Sequence, residues 1–151
     1  MSYSTAQGRA QIIEDTAAAV WRLALALAVV GEAYEHLDEQ SGERLESELF
    51  RPLQGAYGQL RRAHAEFARR VGLEPHPFTQ PPSPAPQGPR AALEHAAEEL
   101  AAGEQILAEL QDTLLPVEVG DQQLRAELAA VRSALSPLPA VCERFIRGFG
   151  R

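Results

Sequence analysis

Lysine and asparagine are both absent from these 151 residues, so all 14 basic Lys/Arg positions are arginine. Codons for the two missing residues are AT-rich, and their joint absence points to a GC-rich, bacterial coding sequence. Cysteine is nearly absent too. The single Cys142 leaves no internal disulfide and no paired-cysteine zinc spacing, and it fits a reducing compartment. β-Branched residues are sparse while alanine, leucine and glutamate abound, which favours helix. Positive charge is in deficit, and a net charge of −7 argues against wrapping nucleic acid or lying on an anionic membrane. There is no long apolar run. The best block, Ala17 to Val30, has 14 residues, is interrupted by Arg22, and falls short of the roughly 20 a membrane span needs. Glu14 and Asp15 precede it, where a secretory signal would carry basic residues. We expect a cytoplasmic protein, with no nucleic-acid or membrane partner. No phosphate loop or nucleophile elbow is found.

What the chain does have is proline in one place. Seven of its eleven prolines fall between residues 73 and 89. Each lacks a backbone donor and holds φ near one value, so neither a helix nor a central strand runs through this stretch. A stiff extended linker over 73–88 therefore separates two helix-forming halves of a single domain, 1–151.

Each half carries apolar ladders spaced by three and four residues. They read Ile13, Ala17, Val20, Ala24, Leu27, Gly31, Tyr34; then Leu49, Leu53, Ala56, Leu60, Ala63, Phe67. After the linker come Leu93, Ala96, Leu100, Gly103, Leu107, Leu110, Leu114, and finally Leu124, Leu128, Val131, Leu135, Leu138, Cys142, Phe145, Phe149. A mean repeat of 3.5 keeps one stripe of each helix facing its partners. The fold class predicted is all-α: a four-helix bundle of two antiparallel helical hairpins joined by the Pro-rich strap. The helices are predicted at about 5–39, 42–71, 89–114 and 121–148. Ser4 with Gln7, Ser41, Pro89 and Asp121 supply start signals. Pro52 and Pro137/Pro139 lie inside the second and fourth ladders and predict kinks there.

The second helix would be about 43 Å long at 1.5 Å per residue. The strap reaches about 50 Å at 3.1 Å per residue. It is long enough to run the length of the bundle, so we prefer a lengthwise crossover to an up-down-up-down hairpin. Pro81, Pro82, Pro84 and Pro86 also resemble a polyproline II recognition segment, the less common use of such a stretch.

The first helix is apolar on two sides. Opposite its ladder lie Trp21, Leu25, Ala28 and Val29, broken only by Arg22. Either the strap covers this strip, or it is an interface, most simply of an isologous homodimer, which is the reading we prefer. Three further residues, Tyr34, Tyr57 and His64, are candidates for lining a pocket. Glu35-His36-Leu37-Asp38-Glu39 and Glu94-His95-Ala96-Ala97-Glu98 share the pattern E-H-x-x-E, but both fall off the ladders and read as solvated acidic faces. No histidine has a glutamate three residues before it, as a di-iron bundle would need, so no metal and no cofactor are expected. Cys142, on its ladder, reads as a small buried hydrophobe. The functional expectation is a non-enzymatic bundle acting through protein contacts, by self-association or as an adaptor. The alternative is a bundle that binds a small molecule or metal.

Overall fold

A computed structural model describes residues 4–149. Among these, all regular structure is helical: α1 (Thr5–Tyr34), α2 (Glu39–Leu45), a π-helical turn (Glu46–Phe50), α3 (Arg51–Arg70), α4 (Pro89–Asp112), α5 (Leu115–Glu118), α6 (Gln122–Leu135) and α7 (Leu138–Phe149).

Local chemistry explains most boundaries. Ser4 Oγ accepts the Gln7 N–H at 3.1 Å, and Gln7 Oε1 accepts the Ser4 N–H at 3.0 Å, closing a capping box on α1. α1 ends at Tyr34 rather than near 39, because Asp38 begins a new helix. Its Oδ1 accepts the Ser41 N–H at 2.8 Å, so Asp38, not Ser41, is the cap of α2. Pro52 does not break the rod that follows. The turn before it widens instead, with the Arg51 N–H reaching back to Glu46 O, which makes room for a ring that cannot donate. α3 stops in a Schellman motif: Gly72 adopts φ +74° and the Leu73 N–H returns to Ala68 O at 2.8 Å. Pro137 and Pro139 mark the turn that separates α6 from α7.

α4 ends on a residue of the wrong type. Leu114 takes the left-handed conformation at φ +66° and is 55% exposed, although its ladder predicts burial. A side chain in that region is strained, and here little burial offsets it. We expect Leu114→Gly to raise stability by about 0.5–1 kcal/mol in urea melts, with Leu114→Ala, which keeps the Cβ, near neutral. A lower midpoint for the glycine variant would show that the Leu114 side chain is needed there.

The most extensive packing joins α1 to α4. Gly8 lies beside Leu115 and Val119, Gly103 beside Ala19 and Leu23, and Arg22 pairs with Glu99 at 3.1 Å, so the two helices run antiparallel. The residues that meet there are small. Ala19, Ala26, Ala33, Ala92 and Ala96 are all 0% exposed, and a Cβ on Gly103 would stand 3.2 Å from Leu23 Cδ2. The buried line of α1 is Ile12, Thr16, Ala19, Leu23, Ala26, Val30, Ala33, one residue earlier than the predicted ladder. Ala17, Val20 and Ala24 of that ladder are buried as well, but Tyr34 is 45% exposed. Two buried faces in an alanine-rich helix leave the sequence without a single phase. By length and composition α1 could cross a membrane, with an 18-residue window of mean hydropathy 1.5, yet 56% of that window is buried within the fold.

α1 also packs on α3, and α3 on α6, while α7 packs on α4. Arg70 clamps Asp121 through Nε at 2.7 Å and Nη2 at 2.9 Å, tying the end of α3 to the cap of α6. Thr16 meets His64, and Ala28 and Gly31 lie near Phe50 and Gln54, so α3 is antiparallel to α1. α3 and α4 therefore run in the same direction, and the strap carries the chain back along them.

Candidate functional site

The strap has its own periodicity. Pro75, Phe78, Pro81, Pro84 and Gln87 are partly buried, and the two residues between each successive pair are exposed. A repeat of three is that of a polyproline II helix, which turns once per three residues. One edge lies on the bundle and the other two face solvent. Of the four prolines that resemble a recognition segment, Pro81 and Pro84 are on the inward edge and Pro82 and Pro86 face solvent.

One side chain anchors the strap. His64 is 0% exposed and has a partner for each ring nitrogen. Thr16 Oγ1 donates to Ile12 O at 2.9 Å, so its lone pair is left for His64 Nδ1–H at 2.8 Å. His64 Nε2 accepts the backbone N–H of His76, in the strap, at 2.9 Å. This network specifies the neutral Nδ1–H tautomer. Burial, with a smaller contribution from the charge of His76, lowers the His64 pKa to about 4. Phe78 then closes over the site. Its ring meets His64 edge-on at 5.1 Å, and the Arg61 guanidinium lies 5.5 Å above its face.

Beyond Phe78 the strap roofs a groove of about 640 Å³ between α1 and α3. Its floor is Ala24, Leu27, Ala28 and Gly31, its wall Phe50 and Tyr57, and its rim carries Glu32, Gln54 and Arg61. Two of the rim groups are already engaged: Arg61 donates to Tyr57 Oη at 3.1 Å and Glu32 Oε1 meets His36 Nε2 at 2.9 Å. On the other side of Phe78 an open cleft of about 570 Å³ lies between the strap's Glu74, Pro75, His76 and Pro77 and the α1 residues Ala10, Ile13, Glu14, Ala17, Ala18 and Trp21. Trp21 is 36% exposed.

The predicted strip of α1 is thus divided. Trp21 and half-buried Leu25 remain on the surface, Ala28 belongs to the floor of the strap groove, and Val29, 2% exposed, is core. The expectation that Val29 faces outward is corrected because α1 is covered on more of its circumference than one ladder implies. The predicted pocket trio does not assemble either. Tyr57 lines the groove, His64 is sealed beneath Phe78, and Tyr34 packs against Gly42 at the α1–α2 turn. Thr16 and His76 are the partners sequence reading missed: Thr16 lies on the Ile12 line rather than on the predicted ladder, and His76 takes part through its backbone N–H, which no side-chain pattern signals.

Both E-H-x-x-E histidines make local pairs, His36 with Glu32 and His95 with Glu99 at 3.6 Å. Among the described residues no three His, Cys, Asp or Glu side chains are grouped so as to hold a metal. Cys142 is buried, and burial pushes its thiol up to about 11, far from a thiolate at neutral pH. Compared with protein-family models, curated proteins and solved structures, the chain matches none.

Proposed function

We propose that this chain is a non-enzymatic four-helix bundle, two antiparallel hairpins joined by the lengthwise strap, that acts by self-association through the outer face of α1. The observation that carries this reading is Trp21: the one tryptophan of the chain is 36% exposed beside an apolar cleft that the strap borders but leaves open. Tryptophan is a frequent anchor of interfaces, and an apolar cleft beside an exposed one is a surface that gains from being covered. The buried thiol and the locally paired histidines support a binding role over a catalytic one.

Light scattering of the purified protein should give a dimer mass. Leu25→Glu should give a monomer with unchanged helical circular dichroism, since Leu25 is only half-buried in its own chain. A wild-type protein that stays monomeric at every concentration tested would sink the reading. So would a Leu25→Glu variant that loses its helical signal rather than its partner, because the strip would then be internal core.

A further inference from the structure

The outer face of α1 carries both a projection and a recess. On a helical projection Ala18 is central, and Trp21, Glu14, Leu25 and Arg22 share an arc of about 100° around it. Trp21 is the projection. The recess is the cleft that begins at Ile13 and Ala17 and ends on Pro75 of the strap. The middle of the recess, level with residue 15, lies six residues before Trp21, about 9 Å along the axis.

Resting on the self-association reading above, we propose that two copies meet through α1 in antiparallel fashion, about a two-fold axis at Ala18, each placing Trp21 in the cleft of the other. A two-fold contact requires that residue i meet j and j meet i. With the axis at Ala18, residue 21 of one copy comes level with residue 15 of the other, between Ile13 and Ala17, where the cleft is. The same register brings Glu14 level with Arg22 of the other copy, twice. Arg22 pairs with Glu99 through Nη1, and its side chain is 44% exposed, leaving further N–H groups for a second carboxylate. Ala18 is exposed and small, so the two helices can approach closely at the axis. A parallel pair would instead set Trp21 level with Trp21 and Glu14 level with Glu14, leaving both clefts unfilled and like charges adjacent. The strap defines the limit of the contact, since it supplies the far wall of the cleft and covers α1 beyond Leu25.

The test uses the full chain with Cys142→Ala as background. Ala18→Cys should oxidise to a disulfide-linked dimer, because only a residue at the axis meets its own copy at the separation a disulfide needs; Ala10→Cys, far from the axis, should not. Glu14→Arg and Arg22→Glu should each weaken the dimer by about tenfold, and the double variant should recover to within about threefold of wild type. A dimeric wild type with no Ala18→Cys cross-link and no recovery in the double variant would overturn this register while leaving self-association standing. A monomeric wild type would overturn both.

Discussion

Between pH 6.5 and about 4 the wild-type fold should lose roughly 2–3 kcal/mol more stability than the His64→Gln variant loses. The cause is the strap anchor. In the folded chain Nε2 of His64 accepts the His76 N–H, and a proton placed there would set two donors against each other. Burial disfavours the charged ring as well, and the folded pKa falls from 6.5 to about 4. The unfolded chain binds a proton below 6.5, whereas the folded chain resists until about 4. The stabilisation is therefore complete above 6.5 and is lost as the pH falls through that window. Thr16, His76 and Phe78 surround the ring, and His76 is the titratable neighbour; its charge adds to the opposition.

Asp121, held low first by the Arg70 hydrogen bond, loses its contribution only in stronger acid, below its ordinary value of 3.8 and so beneath the histidine's window. The comparison with His64→Gln isolates the histidine, because glutamine can donate to Thr16 and accept from His76 without titrating. Urea melts at several pH values, with amide exchange at His76 as a local readout, measure the difference. Equal pH slopes for the two proteins would show that His64 does not hold the strap in the way its hydrogen bonds indicate.

Gly103→Leu should be the most damaging single change in the α1–α4 interface, at about 3 kcal/mol or more. A Cβ at 103 would already stand 3.2 Å from Leu23 Cδ2, 3.4 Å from Arg22 Cβ and 3.7 Å from Ala19 O. Leucine adds three more carbons where α1 backbone and Cβ atoms stand, and a close-packed interior has no space to take them. The damage should appear as a lower urea midpoint with a similar slope. Gly103→Ala makes an informative companion. It gains up to about 1 kcal/mol of helix propensity and needs only a few tenths of an ångström from Leu23, so it should lie within about 1 kcal/mol of wild type. If leucine were tolerated as well as alanine, the close approach of the two helices would be wrong.

The second and fourth ladders were legible because large residues set their phase. Leu49, Leu53, Leu60 and Phe67, and Leu124, Leu128, Val131 and Leu135, are all buried as their spacing indicates. The third follows its spacing as far as Leu110. It fails at Leu114 because the chain turns there, and nothing local announces a left-handed leucine. α1 was harder to read. Alanine at most positions gives almost equal apolar character on several faces, so spacing could not choose between the line through Ile13 and the line through Ile12. Packing against α4 on one side and α3 on another chose the second and buried part of the first.

The strap shows the division most plainly. Its prolines alone determine that it is extended, stiff and not helical, because the missing donors and restricted φ are properties of each residue. Which edge faces the bundle depends on where His64 and Thr16 place a ring nitrogen, and those residues lie 12 and 60 positions away from His76 in the chain. Whether Trp21 is covered was likewise decided in three dimensions. The strap borders an open cleft beside Trp21 and roofs Ala28, while Val29 is core, so Trp21 stays at the surface. Period and backbone restriction are local and can be read from the chain; the share of each helix left uncovered depends on how the segments meet, and only the packed structure determines it.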